Sequence, residues 1–280
     1  MVRMRRANQQ TILITGCSSG IGWTCASGMK ARGWRVLATA RRVEDLQRLA
    51  DVGLETIQLE LRDPSSVAAC AEEALERTDG KLFAIFNNAA YGQPGAVEDL
   101  PVEALRDQFE VNLFSWHDLT RRVLPAMHAN GRGRIVQCSS VLGLISPPYR
   151  GAYNASKFAL EALSDAMRHE LAGTNIRVSL IEPGPIESRF AEHALAALRK
   201  NIDTEGSRLR DVYRERIAAL EAGGTQRFKL GPLAVLEKLI HAVESPRPKV
   251  RYYVTVPTYM AVVGRRVLPR VIGDRLVSRS

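Results

Sequence analysis

Short apolar runs rich in β-branched residues alternate along this chain with longer stretches of helical period. The strand-like runs are Thr11 to Thr15, Arg35 to Thr39, Glu55 to Leu59, Leu82 to Asn87, Arg134 to Cys138, Arg177 to Ile181 and Tyr252 to Val256. Helical patterns lie between them, near Trp23 to Arg32, Val43 to Asp51, Ser65 to Thr78, Val102 to Asn130, Ala152 to Ala172 and Pro232 to Glu244. Parallel neighbours need crossover connections, and those are usually helical, so the pattern predicts an α/β fold. Its expected form is one doubly wound, seven-stranded parallel sheet with helices on both faces. No repeat, low-complexity tract or linker divides the chain, and residues 1–280 are expected to form a single domain.

One interval breaks the alternation. After Pro183 and Gly184, roughly forty-five residues pass before the helix near Pro232, longer than loops in α/β units usually run. Phe190 to Lys200 and Leu209 to Ala222 look helical, and the second ends at Gly223 and Gly224. Open α/β sheets bind ligands beyond the carboxyl ends of their strands, so the insertion, about residues 185–230, is expected to be a substrate lid.

With 45% hydrophobic and 25% charged residues among 280, the composition is that of an ordinary globular chain. Cys17, Cys25, Cys70 and Cys138 show neither CxxC nor finger spacing, which argues for reduced thiols, and the five histidines are scattered. No metal site is expected. Most of the net charge of +9 sits at the ends, three in Arg3, Arg5 and Arg6 and four in the five arginines less Asp274 of residues 256–280, with about +2 left for the long middle. That distribution argues against a continuous nucleic-acid surface. The N-terminus lacks an apolar h-region, and no segment approaches the ~18 apolar residues of a membrane span, so a cytoplasmic protein is expected. The tail, about residues 257–280, interleaves Val262, Val263, Val267, Leu268, Val271, Ile272 and Leu276 with its arginines. Such an amphipathic segment can lie on an acidic membrane surface, but Pro269 and Gly273 weaken a continuous helix, and an apolar stripe normally faces protein. Packing against its own domain or a second subunit is therefore the expectation.

The chemistry begins in TGCSSGIG, Thr15 to Gly22, between the first strand and the first helix. Gly16 permits a tight turn, Gly20 lets backbone amides approach a pyrophosphate, and Gly22 lets helix and strand pack closely, in the manner of a Rossmann-type dinucleotide site. After the second strand stand Ala40, Arg41 and Arg42, with no carboxylate where a ribose 2′-hydroxyl would be met. Arg41, assisted by Arg42 and Ser18, instead suits the 2′-phosphate of NADP(H). Further along, Tyr153 and Lys157 are four apart in a helical pattern and share a face. A nearby ammonium favours the ionised phenol and should depress the Tyr153 pKa, while Ser140, at the end of RIVQCSS, can reach the same substrate oxygen.

The chain resembles the short-chain dehydrogenases/reductases over about residues 10–256. The likeness rests on TGCSSGIG, Asp63, the NNAA of Asn87 to Ala90, Asn112, Ser140, YNASK at Tyr153 to Lys157, and EPGPIES at Glu182 to Ser188. Within that family it is similar to the 17β-hydroxysteroid and retinol dehydrogenase branch and to bacterial NADP-dependent aldehyde reductases. The resemblance implies that Tyr153 is the general acid of carbonyl reduction, that Ser140 holds the carbonyl oxygen, and that Lys157 binds the nicotinamide ribose. It implies that Asn112, in a helix, holds a water linking Lys157 to solvent. It puts the cofactor against Gly16, Ser18, Ser19, Gly20, Ile21 and Gly22, against Arg41, Arg42 and Asp63 on the adenosine side with Asn88, Ala89 and Ala90, and against Pro183, Gly184, Ile186 and Ser188 at the carboxamide. Ala90 stands where the family usually has glycine, so its backbone must tolerate a Cβ.

Phe190, Leu195, Leu198 and Leu209 of the lid, with Tyr91, Leu142, Pro147 and Tyr149, suggest an apolar pocket for aldehydes, retinoids or steroids. A broad carbonyl reductase is the expected function. The alternatives are an oxidative alcohol, steroid or retinol dehydrogenase and a non-catalytic NADP-sensing protein, which the complete set Asn112, Ser140, Tyr153 and Lys157 disfavours. The family is commonly dimeric or tetrameric through the helices that here carry Asn112 and Tyr153, so a homo-oligomer is expected.

Overall fold

A computed structural model describes residues 9–223 and 227–278. Arg3, Arg5, Arg6, Gly224 and Arg279 lie outside the described residues. Seven strands form one parallel sheet: β1 (Thr11–Ile14), β2 (Arg35–Ala40), β3 (Glu55–Gln58), β4 (Ala84–Asn87), β5 (Gly133–Cys138), β6 (Ile176–Glu182) and β7 (Arg251–Tyr253). Their order is β3-β2-β1-β4-β5-β6-β7, as expected for a doubly wound sheet. Ile12 pairs with Val36 on one side and Ala84 on the other. Every residue of β1 and β4 is buried, which is why these strands read as continuous apolar runs rather than alternating ones. The sheet changes direction between β1 and β4, and the crevice beyond their carboxyl ends is where such sheets take ligands.

Helices flank the sheet: α1 (Gly20–Ala31), α2 (Val43–Asp51), α3 (Pro64–Thr78), α4 (Val102–Phe109), α5 (Ser115–Ala129), α6 (Gly151–Glu170), α7 (Phe190–Asn201), α8 (Arg210–Glu221), α9 (Leu233–Glu244), α10 (Val256–Val267) and α11 (Arg270–Val277). α1 packs beside α9 and α3 beside α5. The core between sheet and helices is filled by Trp116, Phe86, Met29 and Leu37, all with essentially no exposure. The four cysteines are free and buried within it.

Three expectations are corrected. The helix expected from Val102 to Asn130 is divided by a π-turn, Glu110–Phe114, between α4 and α5. β7 stops at Tyr253 and α10 begins at Val256, because Pro257 cannot donate to a sheet ladder but has the φ of a first helical turn. Of the two packings expected of the tail, on its own domain or on a second subunit, the first is not what forms. The tail forms α10 and α11, parted at Leu268 and Pro269, with Val263, Val267, Val271 and Leu276 each at least 59% exposed. Among the described residues, no helix is long and apolar enough to cross a membrane.

Candidate active site

The chain passes from β1 to α1 through Thr15 to Ser19. Gly20 takes a left-handed φ of 54°, which a side chain would strain. At Gly22 the constraint is space: a Cβ would stand 2.0 Å from the carbonyl oxygen of Gly16. Only glycine lets α1 start this close to the turn, with the orphan amides of its first turn at the crevice. Ser19 caps this helix without a side-chain hydrogen bond, and Ser18 and Ile21 are half-buried beside it. The loop is stitched to the end of β4: Thr15 Oγ1 accepts from the amides of Asn88 (2.8 Å) and Ala89 (3.0 Å), and Asn88 Nδ2 donates to the Thr15 carbonyl (3.0 Å). Among the described residues, the non-glycine residues with positive φ are Asp79, Tyr149 and Phe228, so Ala90 carries its Cβ in an ordinary backbone conformation.

Across the crevice, the loop after β6 closes the cradle. A Cβ on Gly20 would lie 3.1 Å from Ser188 Cβ, and one on Gly184 would lie 2.1 Å from Thr255 Oγ1. The Pro183 carbonyl accepts from the amide of Val141 at 2.8 Å, and Ile186 bridges to Leu230. Beyond β2, the half-exposed Arg41 guanidinium lies 3.7 Å from Glu60 Oε2, and Arg42 is exposed as the N-cap residue of α2. Asp63 caps α3, accepting from the Ser65 amide at 2.9 Å. Free first-turn amides, a cradle that a Cβ would fill, and cations past β2 make a donor set that fits a dinucleotide.

Ser140 follows β5 and caps a single turn, Val141–Gly143, its Oγ accepting from the Leu142 amide at 3.1 Å. Tyr153 and Lys157 stand one turn apart on α6, both buried. Lys157 Nζ donates to the Cys138 carbonyl at 2.8 Å and lies 4.3 Å from the centre of the Trp116 ring and 5.7 Å from that of Tyr153. Burial lowers its pKa to about 8, against the pull of Cys138 and Glu161. The expected depression of the phenol is not found. Burial first, and then Cys138, push Tyr153 well above its ordinary value, against Ser140 and Arg150. Lys157 spends its charge on Cys138 and Trp116 instead.

Asn112 lies in the π-turn rather than in regular α-helix, and π-turns often mark functional positions. Its Nδ2 donates to the Tyr91 carbonyl (2.9 Å) and reaches Ser156 Oγ (3.5 Å), while its Oδ1 accepts from the Tyr91 amide (3.2 Å). It therefore joins the loop after β4 to the α6 turn between Tyr153 and Lys157. Behind the site, the fully buried Glu182 ends β6 beside Arg251 Nε (3.1 Å), and Arg251 Nη2 also meets Glu161 (3.0 Å) and Asp165 (2.7 Å) of α6.

Phe190, the first residue of the lid helix α7, meets the Tyr153 ring edge-on at 5.4 Å and fills the space a side chain on Gly92 would need. His193, also on α7, is held below the ordinary histidine range by burial first and by Arg189, with Arg41 and Arg42 adding to it. α7 thus reaches from the phenol toward the end of β2. Leu198 and Leu209, expected in the pocket, instead pack with Ala96, Ile202 and Tyr213 in a small core of the lid's own, which α7 and α8 need in order to hold together. Tyr149 packs against Tyr213 in the same place. Sequence reasoning passed over Thr15, Trp116, and Arg48, whose Nη2 donates to the Ser18 carbonyl at 2.9 Å. The four-residue step from Asn112 to Trp116 was the available signal for Trp116.

The family model described as short chain dehydrogenase matches residues 10–198. The Escherichia coli (strain K12) protein named uncharacterized oxidoreductase YbbO is 45% identical over 269 residues, covering 96% of this chain and 94% of that one. The NADPH-dependent 3-dehydrocapnine reductase of Ornithobacterium rhinotracheale is 31% identical and covers 94% of each chain. Among solved structures, a short chain dehydrogenase/reductase from Burkholderia phymatum in complex with NAD superposes with a TM-score of 0.77 at 26% identity, over 98% of this chain and 97% of that one.

Proposed function

The chain belongs to the short-chain dehydrogenase family, an oxidoreductase family, and on that premise we propose that it reduces the carbonyl of apolar aldehydes or ketones with NADPH. The observation that carries this reading is the meeting of Tyr153, Ser140 and Lys157 at the carboxyl edge of the sheet, beside the glycine cradle. NADPH supplies the hydride when bound. Tyr153, kept protonated by burial, donates its phenolic proton to the carbonyl oxygen, and Ser140 Oγ orients that oxygen by a hydrogen bond. Lys157, with a pKa near 8, stands close enough to working pH to hold and pass on a proton after transfer. Asn112 fixes the Tyr91 loop against α6, and Phe190 excludes water from the phenol.

Phe190 and Tyr91 give the substrate side an apolar wall, which suits a broad range of chains rather than one. Arg41, backed by Arg42, supports the choice of NADPH, as does the printed cofactor of the Ornithobacterium relative. The test is NADPH consumption with aldehydes of increasing length, ketones, retinal and steroids, with NADH alongside. Arg41→Asp should lower kcat/KM for NADPH by about 10- to 100-fold, the worth of a charge-assisted phosphate contact, and leave NADH use unchanged or improved. Equal use of NADH and NADPH by the unaltered protein would overturn the cofactor assignment.

A further inference from the structure

The C-terminal helices leave most of their apolar stripe uncovered by the domain. On α10, Val256, Tyr259, Met260, Val263 and Val267 recur at helical spacing and are 51–69% exposed. Where α10 meets the domain its contacts are mixed: Thr258 is fully buried, Tyr259 meets the Tyr253 ring edge-on at 5.5 Å, and Arg265 donates from Nη1 to the Leu144 carbonyl at 3.3 Å with its guanidinium 5.7 Å from the Phe158 ring. α11 continues the exposure with Val271, Ile272 and Leu276. Half of the large apolar side chains exposed among the described residues lie between Val256 and Leu276. A stripe of this kind marks an interaction surface, because monomeric surfaces rarely gather so many apolar side chains in one place.

Charge decides what covers it. Residues 256–280 hold five arginines and one acidic residue, and Arg266 and Arg275 are exposed beside the stripe. Two copies meeting through this face would bring their arginines together with little carboxylate to answer them. An anionic lipid surface answers both features at once, the acyl boundary taking the valines and the headgroups the arginines. We propose that α10 and α11 lie in the interface of an anionic bilayer and dock the protein there peripherally. The turn following Ser140 packs against α10, so docking sets the catalytic edge of the sheet beside the bilayer, where apolar carbonyl compounds dissolve. Only this last link rests on the proposed reaction; the docking itself does not.

Flotation of the full chain with vesicles tests it without any turnover measurement, so its failure is separate from failure of the proposed chemistry. At low salt the protein should float with mixed phosphatidylglycerol and phosphatidylcholine vesicles and not with phosphatidylcholine alone. Val263→Asp with Val267→Asp should abolish flotation. Arg266→Glu with Arg275→Glu should weaken it by about tenfold, with unchanged thermal unfolding showing that both variants fold. No flotation at low salt, equal flotation with both vesicle types, or flotation indifferent to either variant would overturn the proposal. So would a wild-type protein that ignores vesicles while the apolar variant sediments as a smaller species, because that result assigns the stripe to a second copy.

Discussion

At Lys157, burial and charge work against each other. The ammonium is 1% exposed, accepted by one carbonyl and faced by the Trp116 ring, and burial brings its pKa from 10.5 to about 8. A lysine depressed in the folded state binds its proton less well there than in the unfolded chain. Its charge therefore destabilises the fold below about pH 8, and the loss is relieved as pH climbs toward the unfolded value of 10.5. Lys157→Met should then abolish turnover and yet raise stability at neutral pH by about 1–3 kcal/mol, read as a higher Tm of the ligand-free protein. A lower Tm would show that the Cys138 and Trp116 contacts outweigh the desolvation. The spacing of Tyr153 and Lys157 was legible because helical period puts them on one face. The direction of the Tyr153 shift was not, because it depends on burial by Phe190 and other groups distant in sequence.

Between elements, Arg251 at the start of β7 is ion-paired to Glu161 and Asp165 of α6 and lies beside Glu182 at the end of β6. Glu182 has no exposure, its neighbours are Glu161 and Asp165 as well as Arg251, and burial followed by Glu161 raises its pKa to about 8 against Arg251. A carboxyl raised in the fold contributes stability below its unfolded pKa of 4.5, and that contribution is lost as pH rises through about 8. Glu182→Gln, fixed in the uncharged form, should unfold close to the wild-type temperature near about pH 5 and above it near about pH 9. A melting temperature below the wild type across that whole range would contradict this account. None of this ion cluster was visible in the sequence, since its members come from β6, α6 and β7. The π-turn at Asn112 was equally hidden: EVNLF has ordinary helical composition, and the partners Asn112 meets there, Tyr91 and Ser156, are distant in sequence.

Over the whole molecule, alternation of apolar runs and helical periods was enough to read a seven-stranded parallel sheet. The central strands β1 and β4 are fully buried between helix layers, and most crossovers carry a single α-helix. The cradle was legible for the same reason, because Gly22 is demanded by backbone contact within a few residues of itself. The lid's interior and the outward face of α10 were not, since period reports an apolar stripe but not which way it turns. What unites the molecule, on the proposed function, is Tyr153 of α6 presented as proton donor to the glycine cradle between β1 and α1. The most direct test of that claim is Tyr153→Phe, measured for NADPH binding by thermal shift and for aldehyde-dependent NADPH oxidation. The account predicts an unchanged NADPH-induced rise in Tm with turnover lower by about 10²- to 10⁴-fold. Turnover at the wild-type rate would contradict it.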